Sequence, residues 1–145
     1  MKLMRVLRVG CVGAVLATAV AACNNSPATP SGAAFSSTDL LVGSGATAAN
    51  GNTVYVNYTG WLYDATKTDG KGLVFDTNTG GDPIGPIVLG TGSVIAGWDQ
   101  GIPGMRVGGT RRLVIPPSLG YGASRNGPIP PNATLVFQVE LVNVQ

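Results

Sequence analysis

The chain has 145 residues, with nine Lys or Arg, seven Asp or Glu, and no histidine. This length suits a single domain, and the lack of histidine excludes Ser-His-Asp and Cys-His catalysis and removes the commonest nitrogen ligand of zinc. The seven acidic residues have neither EF-hand spacing nor an obvious pairing for glycoside hydrolysis. We therefore predict no metal site and no cofactor.

The amino-terminal segment is typical of an export signal. Three basic residues precede an apolar run over residues 9–22, which is shorter than the roughly 20 apolar residues that a membrane span needs. Residues 20–23, "VAAC", resemble a bacterial lipobox, in which a cysteine receives lipid and becomes the new amino terminus. We predict a lipoprotein signal peptide over residues 1–22 and lipidation at Cys23. An ordinary secretory signal with an incidental cysteine is the alternative.

Residues 23–38 are rich in Asn, Ser, Pro, Ala and Thr and lack a periodic apolar pattern, so we predict a lipidated flexible linker. The exported protein would be anchored by Cys23 on the periplasmic or extracellular side of a bacterial membrane. Cys11 would leave with the signal, and no internal disulfide would form. After the signal is removed, six basic residues face seven acidic ones, and no basic stripe suggests binding to nucleic acid.

The remaining residues, 39–145, are rich in short β patterns. The stretch "TVYVNYTGW" alternates and places Val54, Val56 and Tyr58 on one face. The stretch "ATLVFQVELVNV" alternates too, and each strand should have one buried and one wet face. One face of this second stretch has Leu135, Phe137, Val139 and Leu141, and the opposite, wet face has Thr134, Val136, Gln138 and Glu140. Further strands are predicted at residues 40–42, 75–76, 87–89 and 110–116. The only helix candidate is "VIAGWDQGI", residues 94–102, which its two glycines limit to about two turns. These patterns favour a curved antiparallel sheet around one short helix, with Trp98 facing the concave side.

Each aromatic or polar side chain that stands out has an ordinary structural interpretation when it is taken alone. Trp98 can fill a core, and Phe137 alternates with core residues. Asp76 is followed by Thr and Asn and is typical of a turn, and Tyr121 lies in the turn-like "GYG". The individual residues therefore leave the function open.

The order of the motifs is more specific than any one of them. The stretches "VYVNYTGWL", "VFDTN", "VLGTGSVIAGWDQGIPGMRVGGTRRLVIPPSLGYGA" and "IPPNATLVFQVEL" resemble the successive signatures of FKBP-type peptidyl-prolyl cis-trans isomerases. The resemblance covers nearly all of residues 39–145. It implies an α+β fold, with a five- or six-stranded antiparallel sheet wrapped around a short helix. It also implies a cofactor-free isomerase of X-Pro bonds, and the export signal predicts that its substrates are exported proteins.

The resemblance implies a role for each residue that matches a motif. Trp98 would form the floor of a proline pocket, Tyr121 would offer its hydroxyl to a substrate carbonyl, and Asp76 would lie beside the twisting amide. The Ile95 backbone N–H would be a second donor. Substrate-binding walls and rim would come from aromatic and aliphatic residues: Tyr58, Phe75, Ile87, Val94, Ile95, Ile129 and Phe137.

The chain departs from the family pattern in one wall of that pocket. Where many relatives have an aromatic pair in "PFxF", this chain has Gly85 and Ile87, so affinity for macrolides such as rapamycin would be reduced. This loss leaves open a second hypothesis, a non-catalytic module or holdase chaperone that binds proline-containing segments. We expect a monomer, because nothing in the sequence suggests a dimerisation helix.

Overall fold

The computed structural model describes residues 33–145. The predicted signal peptide, Cys23 and most of the predicted linker lie outside this range. The described chain forms one sheet, one α-helix and one 3₁₀-helix. The elements are β1 (Ser36–Leu41), β2 (Thr53–Tyr63), β3 (Lys71–Thr77), β4 (Ile84–Val88), α1 (Ala96–Gly101), β5 (Thr110–Ile115), a 3₁₀-helix (Pro117–Leu119) and β6 (Leu135–Val144). Neither helix is long and apolar enough to cross a membrane.

All strand pairs are antiparallel, and the main path through the sheet runs β1-β5-β6-β2-β3. Strand β4 also pairs with β2. Because β6 occupies one edge of β2 along most of its length, β3 and β4 share the other edge, with β4 near the start of β2 and β3 near its end. The predicted α+β fold, a curved antiparallel sheet with one short helix, is confirmed, and the sheet has six strands.

Alternating apolar residues place the core on the concave face of the sheet. The predicted inward residues of β2 and β6 are confirmed, since Val54 and Val56 are fully buried and Tyr58 packs at the edge of the core. β5, which pairs with β6, contributes Leu113 and Ile115 to the same buried layer. Four inward residues of β6 complete this layer: Leu135, Phe137, Val139 and Leu141.

The α-helix packs against β5 across this core. Its six residues are too few to be stable in isolation, so its contacts with the sheet hold it in place. Gly97 allows the close approach, because a Cβ atom there would lie 2.6 Å from Cδ1 of Ile115. The predicted orientation of Trp98 is confirmed, since its side chain points to the concave face and is only 5% exposed.

Two features of the sheet differ from the prediction. Strand β1 spans Ser36–Leu41 rather than residues 40–42, and it takes in the last three residues of the predicted linker. All six residues are exposed on an edge strand, so no alternation marked it in the sequence. Val136, predicted on the wet face of β6, is fully buried because it pairs with Trp61 on one side and Val114 on the other.

Arg111 on β5 joins three parts of the fold. Its Nη1 donates to the carbonyl oxygens of Gly101 at 2.7 Å and Pro103 at 3.1 Å, where α1 ends. Its Nε and Nη2 donate to the two carboxylate oxygens of Asp39 on β1 at 2.6 and 3.2 Å. These bonds hold the pKa of Asp39 below its usual value. Arg111 therefore fixes both the edge strand and the end of the helix.

We predict that Arg111→Ala destabilises the protein more than Asp39→Asn. The first substitution leaves two carbonyls without their donor and costs about 1–3 kcal/mol, whereas an exposed ion pair contributes about 0.2–1 kcal/mol. Urea unfolding at pH 7 measures both.

The pH dependence of the Asp39 contribution provides the control. Because the folded-state pKa of Asp39 is lowered, its contribution is present above the usual aspartate pKa of about 4 and is lost as the pH falls through the lowered value. The difference between the parent protein and Asp39→Asn should therefore shrink in acid. Equal losses of stability for both variants at pH 7 would contradict this description of Arg111.

Candidate active site

A cavity of about 340 Å³ lies between the concave face of the sheet and the amino-terminal end of α1. Every strand except β1 and β5 contributes to its lining, together with α1, the loop before α1 and the loop between the 3₁₀-helix and β6. The lining residues are Tyr58, Phe75, Asp76, Ile84, Ser93, Val94, Ile95, Trp98, Tyr121 and Phe137. Most are apolar or aromatic, as in sites that bind small or flexible ligands.

Four aromatic rings form a continuous cluster in this cavity. Trp98 packs edge to face against Tyr58, with ring centroids 5.2 Å apart, and against Phe137 at 5.3 Å. Phe75 packs in the same manner on the far side of Phe137 at 5.5 Å. Aromatic pairs favour this geometry, so the rings restrain one another and present a rigid apolar surface to the cavity.

Gly60 makes room for this cluster in the middle of β2. A Cβ atom there would lie 2.5 Å from Cζ of Phe75 and 2.9 Å from Cε1 of Phe137. Both distances are shorter than van der Waals contact. A glycine inside a strand often marks such a close approach, and here it sets the position of two cavity walls.

A bulge in β3 brings two consecutive side chains into the cavity. Gly60 pairs with Asp76 and Trp61 pairs with Val74, so Phe75 is an extra residue on the β3 side. In a regular strand, neighbouring side chains point to opposite faces. The bulge instead allows Phe75 and Asp76 to line the same cavity, one as an apolar wall and the other as a carboxylate.

The polar groups of the cavity are two tyrosines and this carboxylate. The Tyr58 hydroxyl donates a hydrogen bond to Oδ2 of Asp76. Burial, and then the bond to Asp76, raises the pKa of Tyr58 well above its usual value. Burial and the charge of Asp76 also raise the pKa of Tyr121. Both phenols therefore stay protonated at neutral pH and can act as hydrogen-bond donors.

Two donors of the cavity are not engaged by other groups within residues 33–145. These are the Tyr121 hydroxyl and the backbone N–H of Ile95, the residue before α1. The loop that carries Ile95 is held by Asp99, whose two carboxylate oxygens accept from the backbone N–H groups of Gly90 and Gly92, each at 2.9 Å. Asp99 did not stand out in the sequence, and its role is visible only once the loop is folded.

Most of the predicted site residues meet in this cavity, but two do not. Ile87 and Ile129 are 7% and 4% exposed and belong to the core rather than to the lining. Ile84 and Ser93 line the cavity instead. The reason for Ile84 is a register shift, since Val54 pairs with Ile87 while Val56 pairs with Ile84. Three steps along β4 thus match two along β2, which regular alternation does not predict.

Two further observations bear on the chemistry. The buried Nε1 of Trp98 has no hydrogen-bond partner within residues 33–145, so the indole acts here through its ring rather than through its polar atom. No group of three or more Cys, Asp or Glu side chains in this part of the chain is arranged to hold a metal ion. The site thus offers apolar walls, protonated phenols, a carboxylate and a backbone donor.

The sequence and the fold of this chain match those of known prolyl isomerases. A family model described as "FKBP-type peptidyl-prolyl cis-trans isomerase" matches residues 45–142. An FK506-binding protein of Neisseria meningitidis serogroup B is 47% identical over 107 residues, which cover 73% of this chain and 92% of that protein. The peptidyl-prolyl cis-trans isomerase FKBP53 of Arabidopsis thaliana is 52% identical over 96 residues, which cover 66% of this chain and 19% of that one.

Solved structures agree. The crystal structure of AtFKBP13 superposes with a TM-score of 0.64 at 36% identity, over 77% of this chain and 93% of that one. FkpA from Escherichia coli gives 0.61 at 39% identity, over 77% and 48%. The chain therefore belongs to the FKBP-type peptidyl-prolyl cis-trans isomerase family. Its activity is the cis-trans isomerisation of peptidyl-prolyl bonds.

We predict that Gly60→Ala damages the cavity. The added methyl group must displace Phe75 or Phe137, which costs about 1–3 kcal/mol of unfolding free energy and lowers the rate of isomerisation. Urea unfolding and isomerase assays on the same sample measure both effects. Gly81→Ala is the matched control, since a Cβ there meets no atom closer than 3.4 Å. Unchanged stability and activity in Gly60→Ala would show that the rings are not packed as described.

Proposed function

We propose that the aromatic cavity is the active site of this isomerase, and that it acts on X-Pro bonds of exported proteins while they fold. The observation that carries the proposal is the combination in one cavity of the Trp98 cluster with two donors that have no partner within residues 33–145, the Tyr121 hydroxyl and the Ile95 N–H. An apolar floor suits a proline ring, and the donors suit the carbonyl groups beside it.

The reaction needs no covalent step. Resonance gives the peptide C–N bond partial double-bond character and a rotation barrier of about 18–20 kcal/mol. For X-Pro the two isomers differ by only about 0.5–1 kcal/mol, yet exchange takes tens of seconds or more. A catalyst must therefore bind the twisted amide more tightly than either planar form. Proton transfer is not required, which is consistent with a site that has no histidine.

Each part of the cavity has a place in this mechanism. The Trp98 ring supports the pyrrolidine of the substrate, and Tyr58, Phe75 and Phe137 exclude water from its sides. The planar amide is more charge-separated than the twisted one, so an apolar surround disfavours the planar form. The Tyr121 hydroxyl and the Ile95 N–H hold substrate carbonyls at fixed positions, while the Asp76 carboxylate lies beside the rotating bond.

The first test measures the cis-trans exchange rate of a short Leu-Pro or Phe-Pro peptide by NMR. The rate is compared in the absence of protein and in the presence of residues 24–145. We expect acceleration, and Tyr121→Phe should lower it about two- to tenfold, the effect of one lost hydrogen bond. Tyr63→Phe is the matched control, because Tyr63 does not line the cavity. A folded protein without acceleration would favour the alternative, a binding module or holdase that captures proline-containing segments.

Macrolide binding follows from the same cavity. The Neisseria relative is named an FK506-binding protein, and we propose that this cavity also accepts macrolides such as rapamycin. Gly85 and Ile87 stand where many relatives have the aromatic pair, so affinity should be reduced. Inhibition of the NMR-measured exchange by rapamycin would locate the activity in this cavity.

We further propose that the protein is a monomeric lipoprotein, with residues 1–22 removed and Cys23 lipidated. The support is the "VAAC" sequence after a basic and apolar segment. We predict that mass spectrometry of the protein purified from its host membrane shows an amino-terminal lipid-modified Cys23, and that Cys23→Ser abolishes membrane association. An unmodified Cys23, or cleavage at another position, would make the protein secreted without an anchor.

A further inference from the structure

One edge of β2 has a gap between its two strand partners. Along this edge β2 pairs with β4 as far as Val56 and with β3 from Thr59 onward. Residues 57 and 58 therefore have no strand partner there. The connection from β3 to β4, residues 78–83, leaves the sheet at the same point. Backbone groups in such a gap require other hydrogen-bond partners.

Asn78, the first residue of that connection, fills the gap with its side chain. Its Oδ1 accepts from the Tyr58 N–H at 2.6 Å, and its Nδ2 donates to the Val56 carbonyl at 3.3 Å. Its own N–H donates to the Tyr58 carbonyl at 3.1 Å. The amide thus supplies the acceptor and the donor that a neighbouring strand would supply, and the half-buried position protects these bonds.

The same amide ties this point to the connection that leads into β4. Nδ2 also lies 3.1 Å from the carbonyl oxygen of Asp82. The Thr77 and Thr79 hydroxyls donate to the Tyr58 carbonyl at 3.1 and 3.3 Å and also bond to the Thr59 hydroxyl, but neither contacts the Tyr58 N–H. Among these three neighbours, Asn78 alone contacts the Tyr58 N–H.

Tyr58, whose backbone Asn78 binds, lines the cavity. Its ring packs against Trp98, and its hydroxyl donates to Asp76, two residues before Asn78. One loop residue therefore fixes the backbone from which Tyr58 projects and adjoins the strand end that carries Asp76. A displacement of about 1 Å at a reacting geometry can reduce a rate by about 100-fold, so such support affects function.

We propose that Asn78 is a positioning residue for isomerisation, acting through the Tyr58 N–H to hold Tyr58 and its hydroxyl against Asp76. The inference rests on the proposed function of the cavity. It assigns to Asn78 a requirement that a turn residue does not have: an acceptor facing Tyr58 and a donor facing Val56. Replacement of Asn78 by aspartate separates these two requirements, because an aspartate side chain retains the acceptor but has no donor.

The test compares four proteins by NMR-measured kcat/KM and by thermal unfolding: the parent chain, Asn78→Ala, Tyr58→Phe and the double variant. We expect Asn78→Ala to lower kcat/KM about tenfold in the parent and less than about twofold in the Tyr58→Phe background. Its loss of thermal stability should be similar in both backgrounds. The amide proton of Tyr58 should shift and exchange faster with solvent in Asn78→Ala.

Asn78→Asp separates the effect of Asn78 on the position of Tyr58 from its effect on thermal stability. It also provides a second variant if Asn78→Ala folds poorly. Its carboxylate can still accept from the Tyr58 N–H, so kcat/KM should stay within about threefold of the parent value, although the lost donor lowers thermal stability. Asn143→Ala is the matched control. The Asn143 amide also accepts from a backbone N–H, that of Val144 at 2.9 Å, but it lies away from the cavity, and activity should be unchanged.

The outcomes distinguish the inference from the function on which it rests. Equal losses of kcat/KM from Asn78→Ala in both backgrounds, or an Asn78→Asp variant as inactive as Asn78→Ala, would overturn the positioning role, while the Tyr58→Phe loss would still support the cavity. A Tyr58→Phe variant with full activity would overturn the assignment of the cavity, and the inference with it.

Discussion

The packing of Trp98 between α1 and the concave face of the sheet is the constraint on which the rest of the structure depends. A six-residue helix has no stability of its own, so the helix exists because its indole and its glycine-faced contact with β5 bury apolar surface. The same indole is the floor of the cavity and the partner of Tyr58 and Phe137. Trp98, like Phe137, therefore belongs both to the core and to the site, and a change there affects folding and binding together.

Around that fixed floor, the site is formed where the sheet departs from regular pairing. The bulge at Phe75 turns a wall residue and a carboxylate toward one cavity, and the register shift between β2 and β4 turns Ile84 inward. The gap between these two irregularities is where Asn78 replaces a strand. In a regular sheet only every second side chain of a strand faces the concave side, and that apolar face would hold too few polar groups for a site. The irregular edge of β2 is thus what converts a core surface into a site.

The sequence was most informative where burial follows a simple period. Alternation located the inward faces of β2 and β6, and the helix was located because "VIAGWDQGI" was the only helix candidate. The exposed edge strand β1 had no such period, and Val136 was predicted on the wet side because its burial depends on Trp61 from another strand. Eight of the ten cavity residues were named in advance, through motif resemblance rather than from residue type. Ile84 was missed because a bulge cannot be seen in one strand alone.

The two tyrosines show why residue type alone does not assign a role. Burial raises the pKa of both phenols, so both stay protonated and can donate a hydrogen bond. They differ in what they already bind: the Tyr58 hydroxyl is engaged by Asp76, while Tyr121 has no partner within residues 33–145. A substrate carbonyl can thus bind Tyr121 without breaking an existing bond, whereas Tyr58 would first have to release Asp76. In the proposed mechanism, Tyr121 binds the substrate, and Tyr58 orients the carboxylate beside the rotating bond.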